Sequence, residues 1–136
     1  MENWGTVFGS YLNSGVYMLT QGTDADIRSA ARANGLEFIK VDLKGVGSKT
    51  GFLKKTARSL GFPAYFGVNW DAFSDCLTDM AWKPAAGYVI LFNNHQSFAS
   101  KARADAQVAG RIFDSSAQYW KQNKMSFYII LREETS

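Results

Sequence analysis

Four short apolar runs punctuate the chain: VYMLT from Val16, EFIKVDL from Glu37, GYVILF from Gly87 and SFYIIL from Ser126. Each is rich in β-branched and aromatic residues and is predicted to be a strand. The last two are almost unbroken in apolar character, as central strands of a parallel sheet are when helices cover both faces. Between the first two lies TDADIRSAARANG. There Thr23 is placed as an N-cap, Asp26 follows three residues on as in a capping box, and Gly35 supplies a left-handed stop, so a helix is marked at both ends. Strand, helix and strand within about thirty residues make a right-handed crossover between parallel strands.

The next segment, KTGFLKKTARSLGF, sets Phe52, Leu53, Ala57 and Leu60 at helical spacing, and Gly61 with Pro63 ends it. Pro63 to Gly67 reads as an aromatic loop, Asn69 as an N-cap, and WDAFSDCLTDMAW as a helix that KPAAG breaks before the third strand. NNHQSF reads as a loop. ASKARADAQVAGRIFDSSAQYWKQNK reads as one long helix or two shorter ones, with Gly110 the point of interruption and Val108, Ile112, Phe113, Ala117 and Trp120 an irregular apolar stripe. No repeat or linker divides residues 1–136, so a single α/β domain is expected, with a parallel sheet of three to four strands and helices on both faces.

One helix carries an unusual charge pattern. Asp71, Asp75 and Asp79 recur every fourth residue, and no basic residue stands between Ser59 and Trp82, although the chain as a whole has net charge +3. On a helical wheel the three aspartates fall within about 80° of one another, opposite Phe73, Leu77 and Met80. Like charges at this spacing cost an isolated helix roughly 0.2–0.5 kcal/mol per pair, and only Asp71, in the first turn, complements the helix dipole. The bland interpretation is a solvated face. The one-sided sign favours a face that meets a cationic partner, with Tyr65 and Phe66 in the preceding loop as candidate aromatic anchors.

Other chemistry is sparse. The small positive excess is spread along the chain, with Lys54 and Lys55 the one adjacent basic pair, so direct nucleic-acid binding is not expected. A lone Cys76 excludes an intramolecular disulfide, the N-terminus lacks the basic start and apolar run of a signal peptide, and no window is apolar enough to span a membrane. A cytoplasmic protein without membrane association is expected. An enzyme would need Asp71 and Asp75 as an acid–base pair or as Mg²⁺ ligands, but the single His95 has no partner at ligand spacing and Cys76 has no evident base. We expect no catalytic residue, no metal ligand and no cofactor.

The run Pro63, Tyr65, Phe66, Gly67, Asn69, Asp71, Ala72, Asp75, Cys76, Leu77 and Thr78 resembles the hallmark of the barstar family of intracellular ribonuclease inhibitors. The resemblance extends more weakly over residues 36–132, and residues 1–35 look like the strand–helix extension of longer barstar-related bacterial proteins. It implies a small parallel sheet with helices on both sides. It also implies that the acidic helix and the loop before it enter a nuclease's cationic cleft, Asp75 mimicking a substrate phosphate. Asp71 and Thr78 bond beside it, and Tyr65 packs on the rim. The expected partner-binding set is therefore Tyr65, Asn69, Asp71, Ser74, Asp75, Thr78 and Asp79, the partner a ribonuclease or another protein with a cationic cleft, and the free protein a monomer. The family pattern has Trp where Ser74 and Met80 stand and Gly where Asp79 stands. A protein-interaction module for a cationic non-nuclease partner is the alternative reading, followed by a carboxylate-based enzyme.

Overall fold

A computed structural model describes residues 3–64 and 66–133 of the chain. Four strands, β1 (Gly15–Met18), β2 (Glu37–Asp42), β3 (Gly87–Asn93) and β4 (Ser126–Leu131), form one parallel sheet in the order β1-β4-β3-β2. The two nearly continuous apolar runs are thus the two central strands. Tyr88, Ile90 and Phe92 of β3 enter one core, whereas Val89 and Leu91 enter another on the opposite face. Side chains alternate across a strand, so burial of both sets requires cover on both sides of the sheet.

The helices are α1 (Trp4–Val7), α2 (Asp24–Ala33), α3 (Lys49–Leu60), α4 (Trp70–Leu77), α5 (His95–Lys101) and α6 (Arg103–Gln122), with a 3-10 turn at Tyr11–Asn13. The α2 capping box forms as its sequence predicts: Thr23 Oγ1 accepts from the Asp26 N–H at 3.1 Å and the Asp26 carboxylate from the Thr23 N–H at 3.0 Å. Ser48 caps α3 by accepting from the Gly51 N–H at 3.1 Å, and Gly61 ends it at φ 70°. None of the described helices is long and apolar enough to cross a membrane.

The first strand–helix–strand unit is wider than its sequence suggests. Its strands are parallel, but β1 and β2 lie at opposite edges, with β4 and β3 between them. The path β2, β3, β4 advances across the sheet in one direction, and β1 to β2 runs in the other. Crossovers of one hand must then place α2 on the face opposite α3 to α6. The cores agree: Ile27 and Ala31 of α2 pack with Trp4 and Phe8, while Phe52, Phe73, Phe98 and Phe113 share the other core. Trp4 of α1 is buried against Phe8 and Tyr17.

Two boundaries after β3 differ from expectation. NNHQSF is not a loop throughout, because α5 begins at His95. Asn94 turns the chain at φ 58°, and the His95 and Gln96 N–H groups donate to the carbonyls of Arg132 and Glu133 at 2.9 and 3.0 Å. The helix start is satisfied by residues beyond β4 and needs no side-chain cap. The last helical region does divide, but at Ala102 (φ −132°, ψ 60°), and Gly110 lies inside α6.

A polar hub fastens α2 to the sheet. Asp24 receives Lys40 Nζ at 3.4 Å, Arg132 Nη1 at 3.2 Å and Asn93 Nδ2 at 3.0 Å, which joins the first turn of α2 to β2, β3 and the end of β4.

Candidate functional site: an exposed acidic face on α4

Helix α4 is amphipathic because Phe73, Cys76 and Leu77 are buried, which forces Asp71 and Asp75 outward. The predicted helix is shortened, however. It ends at Leu77 with Thr78 as C-cap, so Asp79 occupies the following turn rather than a third rung of the helical ladder. The cause is Met80. It turns left-handed at φ 54° and buries its side chain in the core, while its N–H donates to the Cys76 carbonyl at 3.2 Å. Apolar spacing alone reads Met80 as a continuing helix face, because burial after a chain reversal leaves the same sequence signature.

The helix end is closed from a distance. Trp120 Nε1 of α6 donates to the Leu77 carbonyl at 2.8 Å, one of the last acceptors of α4 that no intrahelical N–H can reach. Replacing Trp120 by Phe is expected to preserve the ring packing on Tyr88 and Phe127 and to lose this bond. The variant should be less stable by about 1 kcal/mol in denaturant unfolding. A variant as stable as the parent would show that water replaces the indole N–H at no loss.

Asp71, Asp75 and Asp79 are all exposed. Among the described residues the ion pairs join Asp24 to Lys40 and to Arg132, on the α2 side of the sheet, and none neutralises Asp71, Asp75 or Asp79. Their field is felt inside the molecule. The Cys76 thiol is pushed up by burial first and then by the carboxylates of Asp79 and Asp75.

The remaining predicted residues fall into different roles. Asn69 is an N-cap: its Oδ1 accepts from the Ala72 N–H at 2.8 Å and its Nδ2 donates to the Gly67 carbonyl at 3.0 Å, so most of its amide is committed to shaping the loop. Thr78 donates its hydroxyl back to the Ser74 carbonyl at 3.0 Å, or alternatively to that of Asp75 at 3.3 Å. Toward a partner it therefore offers lone pairs. Ser74 is half-buried on the helix. Phe66 packs edge-on to Phe62 at 5.1 Å and is partly buried against the core; Tyr65 lies outside the described residues.

The other chemical candidates sit elsewhere. His95 is half-buried at the start of α5, where desolvation pushes its imidazole down and the Glu133 carboxylate partly opposes the shift. It lines a cleft of about 540 Å³ with Gln96, Ser100, Arg103 and Gln107. A second cleft of about 580 Å³ lies between the ends of β1 and β4, beside Arg132. The α4 aspartates line neither. Among the described residues no three His, Cys, Asp or Glu side chains gather to hold a metal ion.

No curated protein matches the chain. The family model described as barstar (barnase inhibitor) matches residues 36–132, which span β2 to β4 and include the whole of α4 with its approach loop. That match covers well over half of the molecule and contains the acidic face, so the chain belongs to the barstar family.

Proposed function

We propose that this protein is an intracellular inhibitor of a barnase-like ribonuclease, which it blocks by inserting the acidic face of α4 into the enzyme's cationic active site. The observation that carries the reading is that Asp71, Asp75 and Asp79 are exposed and unpaired among the described residues, within the matched family region. A cleft that holds RNA phosphates with Arg and Lys accepts carboxylates by the same charge-assisted, often bidentate, bonds. Carboxylates held ready on a packed helix need little reorganisation on binding, which lowers the entropic cost of association. The aspartates line neither of the two clefts described above, which suits a face that fills a partner's cavity rather than one that receives a substrate. In this reading the protein is not an enzyme, acts in the cytoplasm, and requires no cofactor. Residues 1–35 are an extension whose strand and helix complete the sheet and its second core.

The test is RNA hydrolysis by a panel of barnase-class ribonucleases, barnase among them, titrated with the protein. Stoichiometric inhibition is expected for at least one enzyme, with an association rate that falls steeply as salt rises from about 50 to 500 mM. Unchanged hydrolysis across the panel would overturn the ribonuclease assignment. Capture of a basic non-nuclease protein by the same acidic face would replace it.

A further inference from the structure

Val68, one residue before the Asn69 cap, adopts φ 45°. A β-branched residue enters this left-handed region only against its own sterics, and such positions persist where the surroundings over-determine them. Here the surroundings do. The Asn69 amide bridges the Gly67 carbonyl and the Ala72 N–H, and a Cβ on Gly67 would lie 2.9 Å from Asn69 Nδ2, so the loop has little freedom on either side. This backbone favours Gly or Asn at position 68.

The other left-handed non-glycine residues among those described are Met80, Asn94 and Lys124. Asn94 tolerates the conformation by its chemistry, Lys124 is unbranched, and Met80 is repaid by burial in the core. Val68 is covered far less than Met80: it is 37% exposed, against 1%. The side chain thus gains no ease from its backbone and leaves more than a third of its surface in solvent. What it supplies is an apolar surface at the N-terminal end of the acidic helix.

We infer that Val68 is a partner-contacting residue that sets specificity, seated on the rim of the nuclease cleft against the aliphatic stems of the cationic side chains that Asp71 and Asp75 engage. Long basic side chains present such apolar stems while their charged heads are occupied. The inference rests on the proposed inhibitory role and adds an apolar contact to a face otherwise defined by charge.

The experiment compares Val68→Asn, Val68→Ile and Asp75→Ala in the full chain, measuring thermal unfolding and binding to the same ribonuclease panel. Val68→Asn is expected to raise Tm by about 3 °C by relieving the backbone, and to weaken binding about tenfold by removing apolar contact. Val68→Ile keeps both the strain and the contact, and should match the parent in Tm and affinity. Either a Val68→Asn variant that binds like the parent, or one with no gain in Tm, overturns the inference. If Asp75→Ala loses binding while Val68→Asn does not, the inhibitory reading stands and Val68 alone is dismissed. If the parent binds no enzyme of the panel, or Asp75→Ala binds unchanged, the inhibitory reading fails and takes this inference with it.

Discussion

Replacing Asp75 by Ala is expected to weaken ribonuclease binding by about 30-fold to 5000-fold while leaving the fold intact. Truncating one member of a desolvated charge pair costs about 2–5 kcal/mol of affinity, a range that barnase and barstar themselves helped to define. Much of that loss is the partner's cation left buried without a counter-charge. The fold should respond in the opposite direction. Asp75 is exposed, makes no ion pair among the described residues, and stands one helical turn from Asp71. Removing it relieves like-charge repulsion and substitutes a better helix former, so stability should hold or rise by about 0.5 kcal/mol. Calorimetric titration and thermal unfolding of the same preparation separate the two effects. Affinity within threefold of the parent, or a clear loss of stability, would show that this carboxylate serves the fold rather than a partner.

Replacing Phe52 by Ala is expected to damage both stability and binding. The Phe52 ring stacks on Phe98 at 4.5 Å and on Phe92 at 5.9 Å, meets Phe73 edge-on at 5.5 Å, and approaches Trp70 at 5.9 Å and Phe113 at 6.2 Å. One fully buried side chain on α3 therefore touches α4, α5, α6 and β3. Emptying such a site costs about 3–5 kcal/mol, which for a chain of this size lowers Tm by roughly 10–20 °C. Trp70 and Phe73 are among the residues by which α4 docks, so affinity should fall as well, although Phe52 is itself buried. Phe52→Leu, which leaves a smaller void, should recover much of both. A Tm reduced by less than about 3 °C would mean that the neighbouring rings collapse into the space and that α4 is held independently of this contact.

These two expectations separate what local sequence states from what packing adds. The identity of Asp75 and its outward orientation follow from the spacing of Phe73 and Leu77, because a helix that buries one stripe must expose the opposite one. Both ends of α2 were legible for a similar reason: Thr23, Asp26 and Gly35 act on the backbone within a few residues of themselves. The central position of β3 and β4 was legible too, since continuous apolar runs have no other stable place in a parallel sheet. Resemblance to one family, carried by the residues around α4, agreed with these readings.

Other features had no local signal. The end of α4 depends on Trp120 reaching the Leu77 carbonyl across a separation of 43 residues, and on Met80 turning back into the core. The start of α5 depends on carbonyls beyond β4. Asp24 reads in sequence as an ordinary first-turn acid, but it collects Lys40 and Asn93 from two strands and Arg132 from just beyond a third. That hub consumes two cations on the α2 side of the sheet, and those two cannot also neutralise α4. The strain at Val68 likewise arises from the closure of the Asn69 bridge around Gly67. Side-chain period and capping chemistry act over one or two turns, so they specify which segments are helix or strand and which stripe faces out. Strand order, helix ends and the pairing of charges are set by groups far apart in the chain, and those come within bonding distance only when the molecule folds.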